Sequence, residues 1–135
     1  DFGHDLRVHG HPSEGGVWRI GLEKADDPGR CWSGVAVTDR AVCTSGDYLR
    51  HVVIDGRTYG HVLDPRTGYP VAHGVRSVAV IAPTCTEAGM LATAGLIMGP
   101  QEGLSFLESY YQAEGCLTLQ DGTRLTTRRF MDYVI

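Results

Sequence analysis

Three stretches of this chain gather more hydroxyl, glycine and ionisable side chains than folding alone requires. The first is Gly60-His61-Val62-Leu63-Asp64-Pro65-Arg66-Thr67-Gly68-Tyr69-Pro70, in which Asp-Pro opens a turn and Gly68 closes it, a tight loop at a strand end. It brings together a base (His61), an acceptor (Asp64), a phosphate-pairing cation (Arg66) and a hydroxyl (Thr67). A histidine alone more often serves structure, and its company here raises the weight of a site. The second stretch, Thr44-Ser45-Gly46-Asp47-Tyr48, directly follows a strand. As a turn, its two hydroxyls and glycine would offer donors to an anionic oxygen; an ordinary turn closed by Asp47 is the plainer alternative. The third, Thr84-Cys85-Thr86-Glu87-Ala88-Gly89-Met90-Leu91-Ala92-Thr93, opens a helix on which positions 89 and 93 share a face and address one ion or ligand together. Close backbone packing at Gly89 is the alternative there.

The elements that must carry these groups follow from the hydrophobic pattern. Leu6-Arg7-Val8-His9 and residues 17–23 alternate apolar with polar, as a half-covered strand does. The break Asp26-Asp27-Pro28-Gly29 leads into Val35-Ala36-Val37 and Ala41-Val42-Cys43, which read as two short strands around a tight turn. His51-Val52-Val53-Ile54 and residues 57–63 flank Asp55-Gly56, the dipeptide that a two-residue hairpin loop demands. Residues 75–82 are nearly all apolar and β-branched, a central strand covered on both faces and ended by Pro83. Thr84 or Thr86 caps a helix that Gly99-Pro100 stops. A second, amphipathic helix follows over 101–111, with Leu104, Leu107 and Tyr111 on one side. Residues 115–120 and 123–126 form a closing hairpin around Asp121-Gly122. The fold expected is α+β, a largely antiparallel sheet with two helices packed on it.

Composition bounds the function. The 135 residues carry 12 Lys+Arg against 16 Asp+Glu, a formal charge of −4 with a single lysine, Lys24, which argues against a nucleic-acid binder. The 42% hydrophobic content suffices for one domain with its own core. The cysteines Cys31, Cys43, Cys85 and Cys116 include no C-x-x-C pair, so zinc-ribbon and thioredoxin chemistry are excluded and a reduced, cytoplasm-like chain is the expectation. No apolar run reaches the length of a membrane helix.

In this order and at these separations, the stretches resemble the ApbE family of FAD:protein FMN transferases. The likeness rests on Thr44-Ser45-Gly46-Asp47-Tyr48, Ile54-Asp55-Gly56-Arg57-Thr58-Tyr59-Gly60, the loop from His61 to Pro70, and Ser77-Val78-Ala79-Val80-Ile81-Ala82-Pro83-Thr84; Trp18-Arg19-Ile20-Gly21-Leu22 and Asp5-Leu6-Arg7 also fall where the family has similar strands. The resemblance implies a T-fold-like lobe and the transfer of FMN from FAD to a threonine or serine hydroxyl of an acceptor protein, with release of AMP and commonly with magnesium. By position it makes His61 the catalytic histidine at the FAD site, assigns cofactor contacts to Thr44, Ser45, Gly46, Asp64, Thr67 and Gly68, and makes Thr93 a metal ligand. Where the family has an Ala-Asp pair before that threonine this chain has Ala88-Gly89, and where relatives carry a double glycine before an aspartate it has Gly3-His4-Asp5. The likeness covers the C-terminal half of the family. The further partner it implies is therefore a missing N-terminal half or a second copy, and exported or membrane-anchored bacterial relatives are the family's pattern. Two alternatives stay open: a flavin-binding relative without transfer activity, and a magnesium-dependent FAD pyrophosphatase.

Overall fold

Successive residues of a strand point to opposite faces, so a strand covered on both sides must be apolar throughout. Residues 75–82 meet that condition except at Arg76 and Ser77. In the computed structural model, which describes residues 1–48 and 50–135, they are the middle strand of a five-stranded antiparallel sheet. In chain order the strands are β1 (Leu6–Arg7), β2 (Trp18–Lys24), β3 (Asp27–Val37), β4 (Ala41–Gly46), β5 (His51–Ile54), β6 (Arg57–Gly60), β7 (Val75–Ala82), β8 (Glu114–Leu119) and β9 (Arg124–Thr126). Helices α1 (Cys85–Met98) and α2 (Pro100–Glu108) connect β7 to β8, and a short 3-10 turn, Phe130–Tyr133, follows β9. The large sheet runs β1-β4-β7-β8-β9; β2 with β3, and β5 with β6, form separate two-stranded ribbons.

The faces of this sheet divide the core in two. Ala41, Cys43, Val78, Val80, Ala82 and Leu117 pack beneath the helices against Ala88, Leu91, Ala92, Leu96 and Leu107. Val42, Ile81 and Cys116 point the other way, onto Val8, Leu22, Val35, Val37 and Phe130. The layers are therefore helices, sheet and β2–β3 ribbon, which matches the expected α+β class with two helices on an antiparallel sheet.

Local chemistry accounts for the elements that the pattern anticipates. Asp55 and Gly56 take φ of 50° and 76°, the paired positive angles that a two-residue loop between twisted strands needs. Of the two candidate caps it is Thr84 that starts α1: its Oγ1 accepts from the Glu87 amide at 3.2 Å and donates to the Glu87 carboxylate at 2.7 Å, so the side chain caps the helix and Glu87 holds that side chain in place.

Three expectations are corrected. Residues 35–37 and 41–43 are both strands but do not pair, because β3 is taken by β2 along its whole length while β4 lies between β1 and β7. Residues 27–29, expected as a turn, already belong to β3, and the chain accommodates them by register shifts between Leu22 and Lys24. The second helix ends at Glu108, leaving Tyr111 off its apolar side and 89% exposed.

The two helices meet at glycine. A Cβ added to Gly103 would stand 2.5 Å from the Gly95 carbonyl oxygen, so the backbones cross with no room for a side chain. Gly103→Ala is accordingly expected to lower stability by about 1–3 kcal/mol through overpacking. The midpoint of urea unfolding checks this, and an unchanged midpoint would mean that the crossing does not constrain the core.

Candidate functional site

A cavity of about 860 Å³ opens where the sheet leaves β4 uncovered. β1 pairs only with Ala41 and Val42, so beyond Val42 that side of β4 has no neighbouring strand among the described residues. Thr44, Ser45 and Gly46 are strand residues, paired to Ala79, Val78 and Ser77 of β7, rather than the free turn the sequence suggests. What they offer a ligand is therefore side chains. Alternation sends Ser45 to the helix side with Ala41 and Cys43, and Thr44 to the ribbon side with Val42, and both reach the cavity at its edge. Ser45 Oγ lies 2.8 Å from Thr93 Oγ1 of α1. Gly46 is required by crowding, since a Cβ there would stand 2.7 Å from the Tyr48 ring and 3.0 Å from the Arg76 carbonyl oxygen.

His61 lines the same cavity, and its ring is oriented. Nδ1 lies 3.0 Å from the Arg50 carbonyl oxygen, which can only accept, so Nδ1 carries the proton and Nε2 keeps the lone pair while the ring is neutral. The His61 amide donates to the same carbonyl at 3.2 Å. The loop that follows sets this position. Val71 N donates to the Val62 carbonyl at 3.0 Å, and the buried Asp64 carboxylate accepts from Arg66 N at 2.9 Å, Arg66 Nε at 3.0 Å and Arg66 Nη2 at 2.9 Å. The Arg66 guanidinium beside it holds the Asp64 carboxyl below the usual carboxylate range. Gly68 N and Thr67 N close the turn on the Asp64 carbonyl, and Thr67 Oγ1 caps the Tyr69 amide. Asp64, Thr67 and Gly68, assigned to the cofactor by resemblance, do not line the cavity; they build the loop that holds His61 at its rim.

The opposite wall comes from residues that sequence reasoning did not single out. The β2–β3 ribbon contributes Leu22, Glu23, Cys31 and Trp32. Tyr48 donates to Glu23 Oε2 at 3.1 Å, and burial together with that carboxylate pushes its phenol up to about 12, so it stays protonated. Cys43 and Cys116 are buried and their thiols are raised, chiefly by burial, which keeps them out of nucleophilic chemistry. The ribbon could not be assigned to the site from the sequence because its placement depends on packing across the sheet.

The magnesium implied by resemblance can be tested against these donors. Thr93 and Ser45 offer two hydroxyls bonded to each other, Gly89 offers none, Glu23 is engaged by Tyr48 and the Gly29 amide, and Asp5 is the one further carboxylate that lines the cavity. Among the described residues no three His, Cys, Asp or Glu side chains gather to hold a metal ion. A hard cation asks for carboxylate oxygen, and around Thr93 this set does not fit it.

The small α+β lobe thus gathers a histidine of fixed tautomer, two sheet-borne hydroxyls and a helix-borne threonine around one open cleft. Residues 1–117 match the model of the ApbE family. The chain belongs to that family. It is 36% identical over 110 residues to the FAD:protein FMN transferase of Vibrio cholerae serotype O1, an alignment covering 81% of this chain and 33% of the relative. It superposes on the crystal structure of the ApbE protein from Thermotoga maritima with a TM-score of 0.87 at 34% identity, over 97% of this chain and 42% of that one. The apo flavinyl transferase ApbE of Pseudomonas stutzeri gives 0.80 at 30% identity, over 98% and 42%. The chain thus spans about a third of the length of the curated relatives it matches and about two-fifths of the solved ones.

Two outcomes follow from this geometry. Because Asp64's carboxyl is depressed in the folded protein, the loop is fully held above its unfolded value, about 3.9, and is released as the pH falls through the lower folded value. The protection of the Thr67 and Gly68 amides, measured against their intrinsic exchange rates at each pH, should fall on that descent, whereas Asp64→Asn should show low protection already at pH 7 and no further loss. Separately, an added Cβ at Gly89 meets nothing within 4 Å, so Gly89→Asp can be built without strain in the cavity. The variant should acquire Mn²⁺ binding, read as paramagnetic broadening at Ser45 and Thr93; absence of broadening would place residue 89 out of reach of any ion held by Thr93.

Proposed function

We propose that residues 1–135 are the C-terminal lobe of an FAD:protein FMN transferase, and that the cleft of His61, Thr44, Ser45 and Gly46 takes FAD. The observation that carries the reading is the oriented His61, which lines the same cavity as the sheet hydroxyls and keeps Nε2 free of the Arg50 bond. In the transfer a threonine or serine hydroxyl of the acceptor protein loses its proton to Nε2. Its oxygen forms a bond to the phosphorus on the FMN side of FAD, and the pyrophosphate P–O bond breaks with its electron pair leaving on AMP. Such a base must sit within hydrogen-bond reach of the attacking hydroxyl, and fixing the tautomer in advance removes one rearrangement from that step. Thr44 and Ser45 are donors for the phosphate oxygens. The remaining wall, and any carboxylate needed for magnesium, would come from the N-terminal half of such an enzyme or from a second copy; the partners are FAD and an acceptor protein, with no nucleic acid.

Gly89 favours a second reading, in which the lobe binds flavin without transferring it, because the carboxylate that the family places one turn before the metal-ligand threonine is missing. Complementation separates the two. The chain alone should neither hold FAD tightly nor transfer FMN. Mixed with the N-terminal half of the Vibrio cholerae transferase, FAD and a threonine-bearing acceptor, it should yield a flavin-labelled acceptor, and His61→Gln should reduce labelling by about 10²–10⁴-fold, the usual contribution of general-base catalysis. FAD that stays bound and intact in that mixture supports the binder, and AMP released without acceptor labelling supports hydrolysis. Transfer by the chain alone would overturn the half-site reading.

A further inference from the structure

A second cavity, of about 250 Å³, lies on the far side of Trp32 and Glu23 from the cleft just described. It is bounded by the bend between β2 and β3 and by the β8–β9 turn, and three cations line it: Lys24, Arg76 and Arg124. None of the three has a part in the flavin site.

Each cation arrives through a local irregularity. Lys24 ends β2 just beyond its register shifts. Arg76 is the extra residue of a bulge: Val75 pairs with Leu119 and Ser77 with Thr118, which leaves Arg76 without a partner on β8. Bulges re-aim a side chain, and this one sends a half-buried guanidinium into the cavity wall. Arg124 opens β9 and sets its guanidinium carbon 4.0 Å from the Trp32 ring centroid, a cation–π contact that uses none of its N–H donors in a hydrogen bond.

The charges around the cavity are unequally engaged. Among the described residues none of the three cations forms an ion pair; the salt bridges belong to His9, Arg30, Arg66, Arg128 and Arg129. Of the acids on the same wall, Glu23 accepts from Gly29 N and Tyr48, and Asp121 accepts from Thr123 N, leaving Asp26 exposed at the edge. Arg76 Nη2 donates to the Ala25 carbonyl at 3.3 Å, but Arg76 Nε is buried and bonded to nothing, the one such side-chain atom among the described residues. Nε is closed off from the cavity, so the donor that Arg76 keeps for a ligand is Nη1, which has no bond among the described residues and is not closed off as Nε is; an anionic oxygen is the strongest acceptor for it.

We infer that this cavity binds a small oxyanion, a carboxylate or phosphate monoester, clamped by Arg76 and Arg124 with Lys24 supplying further positive charge. Its volume falls just below the range of about 300–1,000 Å³ typical of sites for larger ligands, which suits one acidic group and little more. Such a site is independent of the flavin reading. The anion is either a free small acid or the acidic group of a larger ligand that reaches past Trp32 from the neighbouring cleft, since Glu23, Trp32 and Thr118 line both cavities.

Inorganic phosphate titrated into the 135-residue chain tests it, followed by the side-chain Nε–Hε signals of Arg76 and Arg124 and the Trp32 indole signal. Saturable shifts at all three are expected. Arg76→Met should weaken phosphate binding by roughly tenfold or more, the scale of one charge-assisted hydrogen bond, and Arg76→Lys should recover part of the loss. Arg128→Met, which touches only the Glu108 pair on the other surface, should leave the affinity unchanged. The wild-type Arg76 signal reads the site without any substitution, so a variant that folds poorly does not block the test. Absence of saturable shifts, or equal affinity in a folded Arg76→Met protein, overturns the inference. Repeating the titration on the chain complemented with the N-terminal half of the Vibrio cholerae transferase and saturated with FAD assigns the source: competition points to a ligand spanning both cavities, and simultaneous binding points to a free acid.

Discussion

A strand edge without a neighbour exposes backbone and side chains that the rest of a sheet would cover, and the cleft of this protein depends on one such edge. β1 pairs with β4 at Ala41 and Val42 and then stops. β4 continues for four more residues held from the β7 side alone, so Thr44 and Ser45 keep strand geometry while facing open space. Had β1 run on, a neighbouring strand would pair the free backbone edge from Cys43 to Gly46 and fill the space beside it. Native sheets usually protect such an edge; here the β2–β3 ribbon and the start of α1 stand off from it and leave a cleft of ligand size.

The rigidity of that edge comes from the other side of β4. β7 is covered on one face by α1 and on the other by the ribbon, so the ladder from Ala41–Ala82 to Gly46–Ser77 cannot shift without turning both cores inside out. The same ladder aims Ser45 at Thr93, and helix and sheet therefore contribute to the cleft as one fixed body. The loop from His61 to Pro70 is attached differently, through the Asp64 carboxylate and the Leu63–Pro70 bridge, and so answers to pH where the sheet does not.

Features set by near neighbours along the chain are legible in the sequence itself. The Asp55-Gly56 hairpin, the doubly covered β7, the Thr84 cap and the Gly99-Pro100 stop are each decided within a few residues by turn angles, alternation or an orphan amide. Features set across the sheet are not. Val35-Ala36-Val37 and Ala41-Val42-Cys43 look like a hairpin, but pairing is a competition among all strands, and β3 finds seven partners along β2 against the few that β4 could offer. The candidate site divides in the same way. His61, Thr44, Ser45 and Thr93 stand out by type and do meet in one cavity, whereas Glu23 and Trp32 carry no signal in the sequence because only tertiary packing brings them to the wall.

That wall is held from the chain's far end. The 3-10 turn buries Phe130 against Leu22 and Val35, Ile135 N donates to the Gly34 carbonyl at 2.9 Å, and Ser33 Oγ donates to the Ile135 carbonyl at 3.1 Å. These residues follow position 117, where the family match ends, yet they fix the ribbon that carries Trp32. Trp32 in turn supports Arg124 on its other side. A single indole thus separates a cleft lined by hydroxyls and histidine from a smaller cavity lined by Lys24, Arg76 and Arg124, and a change that loosens the C-terminal clasp moves both walls together. The two cavities are mechanically one unit even where their ligands differ, because the ribbon cannot shift toward one without opening the other.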